Sequence, residues 1–176
     1  AHYTAIANAM NLPCILYNVP SRTGCNLTPA SLAQLAKLPN INAVKEASGS
    51  ISQVAEIAAA CGTELNIYSG NDDQIVPILS MGGQGCISVL SNVVPKETVA
   101  ITDQFFAGNV AEAARLQCQF MPLIRSLFCE SNPIPVKAAM SALGFCENYL
   151  RLPLVPMEQD HYETMLQRMR ALGLSV

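Results

Sequence analysis

The chain has 176 residues, 51% hydrophobic and 13% charged, with a net charge of −3, which is long enough for a packed core and too apolar for disorder. No Lys/Arg cluster is present, which excludes nucleic-acid or anionic-membrane binding driven by simple electrostatics. No apolar run reaches the roughly 20 residues that a membrane span requires, and the amino terminus from Ala1 to Thr4 does not read as a signal peptide.

Ala1 to Met10 is Ala-rich and reads as the tail of a helix, with no initiator Met ahead of it. After Pro13, Cys14 to Val19 predicts a short apolar strand. Thr28-Pro29 supplies an N-cap and a proline at the first helical position, and Leu32, Leu35, Ala36 and Leu38 form the apolar face of the helix that follows. Ile41 to Ala47 predicts a second strand, and Ser52 to Ala60 a helix with Val54, Ile57 and Ala58 on one face. Leu65 to Ser69 predicts a third strand, Gly70 to Asp73 a turn, and Gln74 to Met81 a short helix. Gly82-Gly83-Gln84-Gly85 reads as a tight turn into a fourth strand, Cys86 to Leu90. The remainder is helical in pattern: Pro95–Ala107, Val110–Cys129, Ile134–Leu143 and Gln159–Leu172.

Strand and helix alternate four times with short links, which predicts parallel strands joined by helical crossovers. The fold class is therefore α/β. Four such units are half of a (β/α)₈ TIM barrel, which takes about 250 residues. Residues 1–108 are expected to form the second half of the barrel and residues 109–176 a helical region. About four earlier units are expected outside this chain, because four parallel strands cannot close a barrel. A complete open four-stranded α/β domain is the competing architecture.

The cysteines are odd in number and contain no C-x-x-C pair, so reduced, mostly buried thiols of a cytoplasmic protein are expected. His2 and His161 lie near opposite ends and no pair has metal-ligand spacing, so no metal site is expected.

In such a barrel, reactive groups sit at the carboxy-terminal ends of strands. That rule selects Tyr17-Asn18, Lys45-Glu46, Ser69-Gly70 and Ser88-Val89. Lys45 stands out because it lies inside an apolar strand, where its charged form is costly to bury. A neutral amine so placed attacks carbonyls, as Schiff-base catalysis needs. The alternative is a lysine that reaches solvent or pairs with Glu46. Tyr17 at a strand end can both donate and accept a proton, and Arg22 in the next loop can grip a carboxylate with two hydrogen bonds. A packed tyrosine and a solvated arginine are the alternatives.

YNVPSRTG at 17–24 followed by VKEASG at 44–49 resembles the dihydrodipicolinate synthase/N-acetylneuraminate lyase family of class I aldolases. SGNDD at 69–73, GGQGCISVLSN at 82–92 and ESNPIPVKAAM at 130–140 carry the likeness along essentially the whole chain. The resemblance implies a barrel in which Lys45 forms an imine with pyruvate, Tyr17 relays protons and Arg22 receives the second substrate's carboxylate. It further implies that Ile87 offers a backbone carbonyl near pyruvate and that Gly70 lines the site. Arg22 and the NPIPVK stretch favour the synthase branch. The implied reaction is the condensation of pyruvate with aspartate-4-semialdehyde that opens the route to diaminopimelate and lysine, with no metal or organic cofactor. The resemblance also implies a homo-oligomer, a dimer of dimers. Another pyruvate-dependent aldolase and an inactive truncated paralogue are the alternatives.

Overall fold

A computed structural model describes residues 1–176, which form two compact units, Ala1–Ile87 and Ser88–Val176. Helix 95–106 groups with the helices that follow it.

The first unit opens with α1 (His2–Asn8) and β1 (Cys14–Asn18). A single helical turn, α2 (Pro20–Thr23), starts on a proline and ends on Gly24 in the left-handed conformation, φ 67°. Sequence pattern alone did not suggest it. Then come α3 (Pro29–Leu35), β2 (Ile41–Glu46), α4 (Ile51–Cys61) and β3 (Asn66–Ser69). A 3₁₀ turn at Asp72–Gln74 leads into α5 (Ile75–Ser80), and β4 (Gly85–Cys86) closes the unit. The predicted cap forms: Thr28 Oγ1 accepts the Ser31 amide at 3.2 Å. Ser50 does the same for α4 through the Gln53 amide at 3.1 Å. Each supplies an acceptor for an amide that has no partner within its own helix.

The four strands lie in the order β1-β2-β3-β4, all parallel. Sequential order with helical crossovers is what the alternation predicts. One face of the sheet buries Leu16, Val44 and Ile67 against Leu32, Val54, Ile57 and Ile78 of the helices. Removing each such side chain from water contributes about 1.5–3 kcal/mol before entropy is counted. The Gly82–Gly85 run is the expected turn, because a Cβ on Gly83 would sit 2.7 Å from the Ile78 carbonyl oxygen.

The fourth strand is shorter than expected. It ends at Cys86 rather than Leu90, and Leu90–Val93 is the short helix α6. Ser88 redirects the chain: its Oγ accepts the Ser91 amide at 3.0 Å, and its carbonyl accepts the Ser91 hydroxyl at 3.0 Å. Local side-chain bonds of this kind compete directly with strand pairing. The strand-end position therefore belongs to Cys86-Ile87, not to Ser88-Val89.

The second unit continues with α7 (Pro95–Phe106), α8 (Val110–Leu127), α9 (Ile134–Ala142) and α10 (Gln159–Ala171). Its core gathers Leu90, Phe120, Leu123, Leu127, Ala139, Met165 and Met169. Arg168 ties α10 to α8, donating from Nη1 to the Pro122 carbonyl at 2.9 Å and the Ser126 hydroxyl at 2.7 Å. No helix is long and apolar enough to cross a membrane.

All seven cysteines are free thiols. They are less buried than expected: Cys25, Cys118, Cys129 and Cys146 are exposed, and only Cys61 is fully buried. Cys118 shows why, since the core face of α8 runs through Ala113, Gln117, Phe120 and Ile124 and passes it by.

Candidate active site

Strand register assembles the site. Tyr17 pairs with Lys45, Lys45 with Tyr68, and Tyr68 with Gly85. In-register residues of neighbouring strands project to the same side. This row therefore stands on the face opposite the helix-covered one, at the carboxy-terminal end of the sheet. Lys45 is half-buried and Tyr17 is 42% exposed. The Lys45 Nζ lies 4.2 Å from the centroid of the Tyr17 ring.

Lys45 has no carboxylate partner. The ion pairs of the chain are Arg115–Glu112 and His161–Glu130, and Lys45 enters neither. The pairing with Glu46 that the sequence left open does not occur, because adjacent strand residues point to opposite faces. Glu46 is 1% exposed and turned to the helix side. There its Oε2 accepts from Asn18 Nδ2 at 2.9 Å and its Oε1 accepts the Ser48 amide at 2.7 Å.

Gly70 lies against the lysine stem. A Cβ added there would be 3.1 Å from Lys45 Cε, 3.1 Å from the Glu46 carbonyl oxygen and 2.7 Å from Ala47 Cβ. Its amide donates to the Glu46 carbonyl at 2.8 Å. Ile87 follows β4, anchored by its amide to the Ser69 carbonyl at 2.8 Å, with its side chain 38% exposed. Arg22 is not in a loop as expected but in the last turn of α2, exposed and in neither ion pair. Pro20 starts that turn with the φ it needs.

Sequence reading missed three features. Tyr68 joins the Tyr17–Lys45 row through the β2–β3 register, which no linear pattern gives. Asn18 and Glu46 form a buried polar pair, for which no local pattern gave a signal. In the other unit, Cys129, Glu130 and His161 approach until their ligand atoms lie within 4.8 Å of one another, despite their unpromising spacing. Glu130 is already engaged there, accepting the Glu158 amide at 3.1 Å at the start of α10 and hydrogen bonding His161 Nδ1 at 2.8 Å. Burial first, and Glu130 second, push the Cys129 thiol up.

The fold of this chain has close counterparts among solved structures. Dihydrodipicolinate synthase from Thermotoga maritima superimposes with a TM-score of 0.96 at 40% identity, over 98% of this chain and 60% of that one. The chloride-inhibited dihydrodipicolinate synthase from Acinetobacter baumannii, complexed with pyruvate, gives 0.95 at 36% identity over 98% and 60%. Residues 1–172 match the model of the dihydrodipicolinate synthetase family, and the chain belongs to that family. The 4-hydroxy-tetrahydrodipicolinate synthase of Clostridium perfringens strain SM101 is 53% identical over 174 residues, which are 99% of this chain and 60% of that protein. That of Caldicellulosiruptor bescii is 52% identical over 175 residues. The chain thus spans about 60% of the length of its curated relatives.

Proposed function

We propose that these residues are the Schiff-base-forming part of a 4-hydroxy-tetrahydrodipicolinate synthase, with Lys45 as the nucleophile. The observation that carries the reading is the Lys45 amine itself: unpaired with any carboxylate, 4.2 Å from the Tyr17 ring centroid, and backed by a glycine whose missing side chain leaves room for its stem. The identity with curated synthases and the pyruvate complex of the Acinetobacter baumannii neighbour support the choice of reaction. The architecture proposed for the whole protein is a (β/α)₈ barrel, with the Tyr17–Lys45–Tyr68 face lining its interior.

The Lys45 amine attacks the ketone carbon of pyruvate, and loss of water leaves an imine. In its protonated form the imine withdraws electrons, so a methyl proton departs and an enamine forms. The enamine carbon attacks the aldehyde of aspartate-4-semialdehyde and makes the new carbon–carbon bond. Tyr17 moves protons to and from the reacting oxygens. Arg22 holds the carboxylate of the aldehyde substrate, Gly70 keeps space at the lysine stem, and the Ile87 carbonyl faces bound pyruvate. The substrate's own amine then attacks the imine carbon, closes the ring and expels Lys45. We place the protein in the cytoplasm as a dimer of dimers.

Borohydride reduction in the presence of pyruvate tests this. The expected product is a mass adduct on Lys45, absent in Lys45→Ala. An adduct on Lys37, Lys96 or Lys137 instead would refute the assignment.

A further inference from the structure

We infer that Asn18 and Glu46 are positioning residues: together they hold the segment that carries Arg22 in register with Lys45, and so set the affinity for the aldehyde substrate. This rests on the function proposed above and adds a specificity determinant to it.

Arg22 lies on the segment between Asn18 and Asn26. The near end of that segment is held by backbone, since the Ala47 amide donates to the Asn18 carbonyl at 2.8 Å. The far end is held largely by the Asn18 side chain. Its Oδ1 accepts the Leu27 amide at 2.9 Å, and its Nδ2 donates to Asn26 Oδ1 at 2.9 Å. One side chain therefore closes the segment, α2 included, on which Arg22 lies. The second Nδ2 hydrogen goes to Glu46 Oε2 at 2.9 Å. Glu46 is the residue directly after Lys45, so the loop closure is referred to the nucleophile's own strand. Asn26 is clamped in turn by Gln53 of α4, giving Nδ2 to Gln53 Oε1 at 2.8 Å and taking Gln53 Nε2 at 3.1 Å.

The residue types fit this task closely. Glu46 faces two donors, Asn18 Nδ2 and the Ser48 amide, so both its side-chain positions must accept. A glutamine would turn an NH₂ group toward one of those donors. Asn18 must give two hydrogen bonds and take one, which a carboxylate cannot do. Both residues are 1% exposed, so water cannot replace a lost partner.

The test measures both substrates separately in the whole protein, at a temperature where thermal melts show each variant folded. Asn18→Ala and Glu46→Gln should each raise the KM for aspartate-4-semialdehyde by about tenfold or more, as expected for an ångström-scale misplacement of the carboxylate grip. The pyruvate KM and the yield of the borohydride-trapped Lys45 adduct should change by less than about threefold. In an Arg22→Ala background, Asn18→Ala should add less than about twofold to the aldehyde KM, because the two changes remove one interaction. Parallel losses for both substrates, or additive effects of Asn18→Ala and Arg22→Ala, would overturn the positioning role while leaving the Schiff-base reading intact. A pyruvate adduct absent from the unsubstituted protein would overturn both.

Discussion

Gly70→Ala isolates the steric basis of the site. Gly70 does not need a left-handed backbone, so the substitution acts through contact alone. The new methyl would stand 2.7 Å from Ala47 Cβ, about 1 Å inside the optimal carbon–carbon separation. Ala47 Cβ is fixed to backbone, and the Gly70 amide is bonded to the Glu46 carbonyl at 2.8 Å. The strain therefore falls on the β2–β3 junction and on Lys45 Cε, 3.1 Å away. Overpacking of this size costs about 1–3 kcal/mol, roughly 3–10 °C in Tm for a chain of this length. Displacing the amine by that distance should slow pyruvate adduct formation by about 100-fold. Stopped-time borohydride trapping with intact-mass readout measures the rate, and differential scanning calorimetry measures the Tm. Gly108→Ala is the control, since a Cβ there meets nothing within 4 Å and meets only the strain of φ +85°. It should cost stability of about 1–2 kcal/mol without slowing the adduct. Adduct formation at the parental rate in Gly70→Ala would show that the lysine stem does not depend on the space at Gly70.

Two further outcomes follow from the same geometry. Leu123→Ala, at a fully buried position on α8, should cost about 2–5 kcal/mol in urea unfolding, and a loss below about 1 kcal/mol would contradict the core described here. The Cys86 thiol is pushed from its ordinary 9.0 to about 11, by burial first and by the Asp72 carboxylate second. Its folded value lies above its unfolded one, so its contribution to stability is full below pH 9.0 and is lost as pH rises toward about 11. Iodoacetamide at about pH 8.5 should modify exposed Cys146 well before Cys86, and equal rates by peptide mass mapping would contradict this.

How legible the site was depended on distance along the chain. Lys45, Tyr17, Arg22 and Gly70 were chosen as strand-end residues of unusual chemistry or by motif, and the parallel register brings Tyr17 and Lys45 side by side. The fourth strand was overextended because its apolar letters do not reveal that the Ser88 hydroxyl caps a turn instead. Arg22 was assigned to a loop because one turn of helix has no periodicity to detect.

The amino-acid sequence carried the α/β class, the four alternating strand–helix units and the Thr28 cap, and it singled out Lys45. Those depend on local pattern: apolar spacing, Thr28-Pro29, and a lysine among Ala and Val. Strand alternation sends Lys45 and Glu46 to opposite faces, but which of those faces the helices cover was settled only by the tertiary structure. It alone brought Asn18 to Glu46, Tyr68 into the Lys45 row, and Gly70 against the lysine stem. These are contacts between strands, set by register and by the buried side chains beneath them, and a linear pattern carries no information about register.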